Sequence, residues 1–146
     1  MLNYGDERAI LNLLFTYAER IDAGDFEGVS ELFSSAEVFM AGPDQPSVAG
    51  KQVGPIMKHF VKTYEGIPRT KHVVTNTIVE AQSATSAHTR SQFTVLQNAP
   101  DLLPLQVVAS GRYHDQFIKT ETGEWKFTQR IMLVDAYGDV SAHLNT

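Results

Sequence analysis

The sequence predicts an α+β domain in which helices cover one face of a curved, mixed but mostly antiparallel sheet and enclose a small-molecule pocket. Two changes along the chain favour this fold. Before Pro68, apolar residues recur every three or four positions, and after it they alternate in four long segments. Helices first and strands after is the order typical of α+β domains. Residues 1–146 match the length of one ordinary domain, and no repeat or linker divides them.

Three helices are predicted before the four long strands. The first begins at Asp6, whose carboxylate can accept a free backbone N–H, and ends near Gly24, which can take a positive φ. Asp25 then caps a second, shorter helix, and the third spans residues 53–64. Asp22 therefore lies at the end of a long amphipathic helix, beside a sharp turn.

The predicted strands are two short ones and four long ones. The short strands span 38–40 and 47–49, on either side of a turn that contains two prolines. The long strands span 71–81, 88–97, 105–118 and 125–136. Gly123 lies between the last two, which predicts a hairpin. Consecutive strands with short connections are usually antiparallel.

Composition excludes several classes of function. The net charge is -5, from 17 acidic and 12 basic residues with no run of like charge, so no basic stripe is present to follow a nucleic-acid backbone. The absence of cysteine removes disulfides, thiolate metal sites and thiol nucleophiles. We expect no signal peptide and no membrane partner, since no basic segment precedes an apolar run and no stretch approaches about 20 apolar residues. The expected location is the cytoplasm.

No cofactor is expected. The histidines other than His72 are not spaced as metal ligands, and no pattern of two histidines and one carboxylate occurs. The glycine-rich motifs of dinucleotide and phosphate binding are missing, as is the Gly-x-Ser-x-Gly motif of serine hydrolases.

Asp22 and His72 are the candidate catalytic residues. Strict alternation places His72 on one strand face with Val74, Asn76 and Ile78, from which an inward imidazole could meet the helical layer. A carboxylate near a helix C-terminus opposes the macrodipole, at a cost of about 0.3–1 kcal/mol. Ordinary roles stay open for both residues: a partly buried histidine with one hydrogen bond, and a capping or solvent-facing aspartate.

Several aromatic residues fall on positions that can point inward, where they form either core or pocket wall. They are Tyr17, Tyr64, Phe93, Tyr113 and Phe117. Two arginines on predicted strands, Arg112 and Arg130, are expected to reach solvent.

Four segments resemble the SnoaL-like branch of the nuclear transport factor two-like superfamily, and within it the scytalone dehydratase and hexachlorocyclohexane dehydrochlorinase group. They are 17–26 (YAERIDAGDF), 69–76 (RTKHVVTN), 111–115 (GRYHD) and 123–130 (GEWKFTQR). The resemblance implies a cone formed by a strongly curved sheet, closed by helices, with the ligand inside. In the eliminating members, an aspartate after the first helix pairs with a histidine at the start of the first long strand, and Asp22 and His72 match these positions.

The implied activity is that of a cofactor-independent lyase or isomerase for a small, mostly apolar ring or polyketide-like compound, with His72 as the base. The dehydratases use a second histidine, a serine and an asparagine on later strands, where this sequence has Gln97, Arg112 and His114, and Ile21 replaces a tyrosine. The base is thus retained while the leaving-group residues differ. The expected substrate-binding residues are Tyr17, Asn76, Phe93, Gln97, Arg112 and His114.

A second hypothesis is a non-catalytic binding or assembly module, similar to the small subunit of a ring-hydroxylating dioxygenase. Apolar residues occur on both predicted faces of the later strands, and helices can cover only one face. Val107, Ala109 and Phe117 are assigned to one face, Val108 and Ile118 to the other. We therefore expect a homodimer or homotrimer that packs through the sheet.

Overall fold

Three helices and two short strands precede four long strands in the computed structural model, which describes residues 1–145, and the six strands form one sheet. The helices are α1 (Tyr4–Asp22), α2 (Phe26–Leu32) and α3 (Val53–Phe60). The strands are β1 (Glu37–Phe39), β2 (Val48–Ala49), β3 (Thr70–Ser83), β4 (Ser86–Ala99), β5 (Leu103–Lys119) and β6 (Trp125–Tyr137). Their order in the sheet is β2-β1-β6-β5-β4-β3, and every pair is antiparallel except β1–β6. The predicted α+β class with a mixed, mostly antiparallel sheet is confirmed.

The predicted helix stripe packs on the inner face of the sheet. Its buried residues in α1 are Ile10, Leu14, Tyr17, Ala18 and Ile21. Two helix boundaries differ from the prediction. Asn3, not Asp6, caps α1, and the two side chains form a capping box in which each accepts the other's backbone N–H. α3 ends at Phe60 because Val61 is extended and pairs with Leu144.

A β-bulge in β3 changes which side chains point inward. Thr75 pairs with Gln92 and Ile78 with Arg90, so two residues, Asn76 and Thr77, oppose one on β4. Asn76 takes φ 55 and is exposed. Strict alternation placed Asn76 and Ile78 on the face of His72, and this was wrong beyond Thr75.

A second bulge lies in β5 at Val108, between the pairs Val95–Ala109 and Leu96–Val107. Val108 and Ala109 are both buried, whereas Val107 is 52% exposed. The prediction that Val107 shares a sheet face with Ala109, and Val108 with the exposed Ile118, was therefore wrong. Apolar residues still occur on both faces, since Val107 and Ile118 are exposed while Phe117 is in the core.

Arg130 is fully buried, which corrects the expectation that it reaches solvent. A bulge at Thr128 shifts the alternation of β6, so that Phe127 and Arg130 both point inward. The guanidinium donates from Nε to Asp115 Oδ1 at 2.7 Å and from Nη2 to Oδ2 at 2.9 Å. This bidentate pair joins β5 to β6 inside the core.

Four aromatic rings surround the Arg130 guanidinium. The carbon Cζ lies 3.8 Å from the ring centroid of Tyr113, 4.5 Å from that of Tyr17, and 5.2 and 5.3 Å from those of Phe127 and Phe33. Burial would lower the pKa of Arg130, but the Asp115 carboxylate raises it above its ordinary value. The guanidinium is therefore charged, and both its pairing and its cation–π contacts hold the rings in place.

We expect Asp115→Asn to lower the free energy of unfolding by about 3–5 kcal/mol, because it leaves the buried Arg130 charge uncompensated. The double variant Asp115→Leu/Arg130→Met should recover most of this loss. The matched control is Asp135→Asn, which breaks the exposed bidentate pair with Arg112 and should cost less than about 1 kcal/mol. Urea unfolding followed by circular dichroism measures all three. Equal losses for Asp115→Asn and Asp135→Asn would contradict the assigned role.

Asp6 ties the start of α1 to the sheet. Its Oδ1 accepts from Trp125 Nε1 at 3.0 Å and from Lys119 Nζ at 2.9 Å. Hydrogen bonds from Trp125 and Lys119, and from the Asn3 backbone, lower the pKa of Asp6 from 3.8 to about 2. The resulting stabilisation is complete above pH 3.8 and is lost as the pH falls toward 2.

Asp6→Asn should therefore melt below the wild type at pH 7, and the gap in Tm should narrow as the pH falls from 4 to 2.5. Differential scanning calorimetry across this range measures it. A difference in Tm that stays constant would show that the Asp6 charge does not stabilise the contact between α1 and the sheet.

Candidate active site

The end of α1 and the start of β3 bring the two candidate catalytic residues together. α1 stops at Asp22, and Gly24 reverses the chain with φ 74. A Cβ on Gly24 would lie 2.1 Å from the carbonyl oxygen of Gly66, so only glycine allows the helix end to approach the segment that leads into β3. This approach places Asp22 beside Thr70 and His72.

The Asp22 carboxylate is held by three hydrogen bonds. Oδ1 accepts from Thr70 Oγ1 at 2.8 Å and contacts His72 Nδ1 at 2.6 Å, while Oδ2 accepts from the His72 backbone N–H at 2.8 Å. An ionised carboxylate only accepts, so His72 Nδ1 carries the hydrogen and Nε2 carries the lone pair. The Asp22–His72 pair thus fixes the tautomer in which Nε2 can accept a proton. The side chains are only 8% (His72) and 18% (Asp22) exposed.

His72 faces a cavity with a volume of about 180 Å³ between the helices and the sheet. The wall is mostly apolar and aromatic: Tyr17, Ile21, Met40, Ile56, Met57, Phe60, Val61, His72, Phe93, Val95, Ala109, Tyr113, Met132, Val134, Tyr137, His143 and Leu144. Among the residues that the structure describes, no Asp, Glu, Lys or Arg lines it. The cavity therefore suits an uncharged, largely apolar guest.

Two of the predicted substrate-binding residues, Tyr17 and Phe93, line this cavity with His72. The Tyr17 ring meets the His72 ring edge-on with centroids 6.2 Å apart, and Phe93 stacks on Tyr113 at 4.5 Å. Tyr17 and Tyr113 also contact Arg130, which connects the cavity wall to the buried ion pair. Burial raises the pKa of both tyrosines, so their hydroxyls stay protonated.

The other four predicted substrate-binding residues lie outside the cavity wall. Asn76 is exposed after the β3 bulge and donates to Gln92 Oε1. Arg112 and His114 are on the outer sheet face, where Arg112 pairs with Asp135. Gln97 is buried, but its Nε2 donates to backbone carbonyls. The β3 bulge accounts for Asn76, and the return of the C-terminal segment for Gln97, whose amide donates to the Ala142 carbonyl. Arg112 and His114, which the resemblance suggested, alternate with the buried Tyr113 and Asp115 and therefore point to the outer face.

His143 is the cavity residue that the sequence did not reveal as a site residue. It lies after β6, and residues 138–145 carry no periodic apolar pattern that would signal an inward side chain. The residue is 8% exposed, and its ring centroid lies 6.5 Å from that of His72. Burial lowers the pKa of His143 to about 4, and the neighbouring His72 acts in the same direction. His143 is therefore neutral at pH 7.

Within residues 1–145, no group of three or more His, Asp or Glu side chains is arranged to hold a metal ion. No helix in the described part of the chain is long and apolar enough to span a bilayer.

Solved structures with the same fold include three bacterial proteins. A candidate scytalone dehydratase from Novosphingobium aromaticivorans is 24% identical, covers 92% of this chain and 87% of its own, and has a TM-score of 0.70. A candidate aromatic ring hydroxylase from the same organism is 21% identical, with 96% and 97% covered and a TM-score of 0.72. A cystatin-like protein of unknown function from Nostoc punctiforme is 21% identical, with 92% and 94% covered and a TM-score of 0.73. At these identities the likeness shows the shared fold.

A search of curated proteins gives no significant match. The family comparison is positive, because the model of the SnoaL-like domain matches residues 4–131, which include Asp22, His72 and most of the sheet. The resemblance of the four sequence segments is thereby confirmed, and the chain belongs to the SnoaL-like domain family.

Proposed function

We propose that the protein is a cofactor-independent lyase of the elimination type, or an isomerase, that acts on a small, mostly apolar ring or polyketide-like compound. One observation carries the proposal: an imidazole held by a carboxylate at 2.6 Å turns its free nitrogen toward an apolar cavity. His72 would be the general base and Asp22 the residue that orients it.

The reaction begins with proton transfer from carbon to His72 Nε2. The C–H electron pair moves toward a neighbouring electron-withdrawing group, and Asp22 stabilises the imidazolium that forms. In an elimination, the electron pair then expels a leaving group, and a departing hydroxide takes the proton from His72 to leave as water. In an isomerisation, His72 returns the proton to a different carbon. Every proton and electron pair is accounted for, so neither route needs a redox partner.

The size of the cavity suits a small substrate. A protein cavity of roughly 150 Å³ holds benzene, so about 180 Å³ accommodates a compact ring system. The apolar wall removes water from the reacting atoms, which strengthens the interaction between the Asp22 carboxylate and the developing imidazolium.

A second candidate function, assembly, is favoured by the outer sheet face. Val73, Ile78, Val107 and Ile118 are between 39% and 52% exposed there, although all are large apolar side chains. We propose that this face packs against further copies of the chain as a homodimer or homotrimer. Such packing is compatible with catalysis, because the cavity lies on the opposite, helix-covered side of the sheet.

Asp22→Asn should reduce base catalysis by about 10²–10⁴-fold, because the amide no longer stabilises the imidazolium or fixes its tautomer. Deuterium uptake from D₂O into compact ring ketones such as 1-tetralone measures proton abstraction by NMR. In ¹⁵N-histidine-labelled protein, the wild type should show His72 protonated at Nδ1, and Asp22→Asn should show a mixture of tautomers. Asp101→Asn, in an exposed turn, is the matched control. Unchanged exchange in Asp22→Asn would remove the pair from the mechanism.

For assembly, size-exclusion chromatography with light scattering should give the mass of a dimer or trimer at micromolar concentration. Val107→Lys/Ile118→Lys should shift it to the monomer, because two charges would then be buried in the interface. Tyr4→Lys changes an exposed apolar residue on the helical layer and should leave the mass unchanged. A monomeric wild type would exclude this assembly.

A further inference from the structure

The C-terminal segment after β6 forms part of the cavity wall and is fixed by the residues around it. The backbone N–H of Lys62 donates to the His143 carbonyl at 2.7 Å. The carbonyl oxygen of the preceding residue, Ala142, accepts from Tyr64 Oη at 2.6 Å and from the buried Gln97 Nε2 at 2.9 Å. His143 is thus held at a defined position, although it lies beyond the residues that the family model matches.

The two ring nitrogens of His143 differ in environment. Nδ1 is buried and has no hydrogen-bond partner within residues 1–145. Nε2 is not such a buried, unpartnered atom, and the ring to which it belongs lines the cavity. A buried N–H without a partner is rarer in proteins than an under-used acceptor. The hydrogen of the neutral ring therefore belongs on Nε2, where a bound molecule can receive it.

His72 and His143 then present complementary groups to one cavity. His72 Nε2 is an acceptor because Asp22 keeps the hydrogen on Nδ1, and His143 Nε2–H is a donor. The ring centroids are 6.5 Å apart at an interplanar angle of 68°, the distance of an edge-on contact between neighbouring rings, and no hydrogen bond joins them. The cavity that both rings line therefore suits a molecule that offers a hydrogen to one ring and a lone pair to the other.

A carbonyl compound has the dimensions to bridge the two rings. Bond lengths of about 1.23 Å for C=O and about 1.52 Å for the adjacent C–C bond put its oxygen roughly 2.4 Å from the neighbouring α-carbon. With about 3 Å from each of these atoms to a ring nitrogen, the span is roughly 8 Å when straight and shorter when bent. Each ring nitrogen lies within roughly one C–N bond length, about 1.33 Å, of its ring centroid. Centroids 6.5 Å apart therefore allow an Nε2···Nε2 separation of roughly 4–9 Å, a range that includes this span.

We propose that His143 binds the carbonyl oxygen of the substrate and is thereby a second catalytic residue, opposite the base His72. The inference rests on the proposed function and narrows its substrate class to uncharged, compact ring ketones or enones with an enolisable α-carbon. A neutral donor in a wall without charged side chains suits a neutral oxygen better than a carboxylate or phosphate.

The two histidines act on different atoms of the substrate in one enolisation. His72 Nε2 takes the α-proton, the C–H pair becomes the new C=C bond, and the C=O π pair moves to oxygen, which the His143 Nε2–H stabilises. A neutral imidazole is an effective donor for this purpose. The enolate then expels a leaving group, which takes the proton from His72, or it is protonated by His72 at another carbon. His143 keeps its hydrogen throughout, so the cycle returns both rings to their starting tautomers.

The test uses 1-tetralone with the full-length protein in D₂O. His143→Phe, which keeps the ring volume, should lower the rate of α-deuteration roughly 10²-fold, the effect of losing one oxyanion donor. His143→Gln should retain part of the activity, because its amide can still donate. His59→Gln, at an exposed position outside the cavity, is the matched control and should be unchanged. In ¹⁵N-histidine spectra of the wild type, 1-tetralone should shift the Nε2 resonance of His143, whereas tetralin, which lacks the oxygen, should not.

The outcomes separate this inference from the proposed function. If His72→Phe abolishes deuteration but His143→Phe does not lower it, the role of His143 is overturned and the base stands. If 1-tetralone shifts the His143 Nε2 signal but deuteration is as fast in His72→Phe as in the wild type, the oxygen contact stands and the base is overturned. If 1-tetralone at its solubility limit leaves the His143 signal unchanged, the oxygen contact is overturned, whatever the deuteration rate.

Discussion

The contact between the Asp22 carboxylate and His72 is the constraint around which the site is built. It joins the C-terminus of α1 to the start of β3 through three hydrogen bonds, two of them to His72. The same contact attaches the end of α1 to the sheet and fixes the tautomer of the imidazole. A carboxylate at a helix C-terminus is unfavourable by itself, so the hydrogen bonds from Thr70 and His72 offset a local cost that the helix alone could not.

A fully buried ion pair, Asp115–Arg130, shapes another part of the cavity wall. Asp115 and Arg130 hold the rings of Tyr17 and Tyr113, and these rings face the cavity. The two carboxylates therefore act differently. Asp22 orients a neutral imidazole whose Nε2 can accept a proton, whereas Asp115 pairs with a buried guanidinium that holds the aromatic rings of the wall in place.

Much of the fold could be predicted from local patterns. The stripe of α1, the Asp25 cap and the four long strands depend on neighbours within a few residues along the chain, and the structure agrees with them within a few residues. Predictions failed where one inserted residue reversed the faces of a strand. The bulges at Asn76, Val108 and Thr128 moved Asn76 out of the cavity, buried Val108 and turned Arg130 inward.

The sequence by itself determined the order of elements and, through a resemblance, the pairing of Asp22 with His72, since both depend on residues that carry a local or familial signal. Tertiary structure alone decided that His143 lines the cavity and that Asn76 and Gln97 do not. The physical reason is that bulge positions and the return of residues 138–145 depend on long-range backbone hydrogen bonds, such as that between Lys62 and His143, which no pattern within one segment encodes.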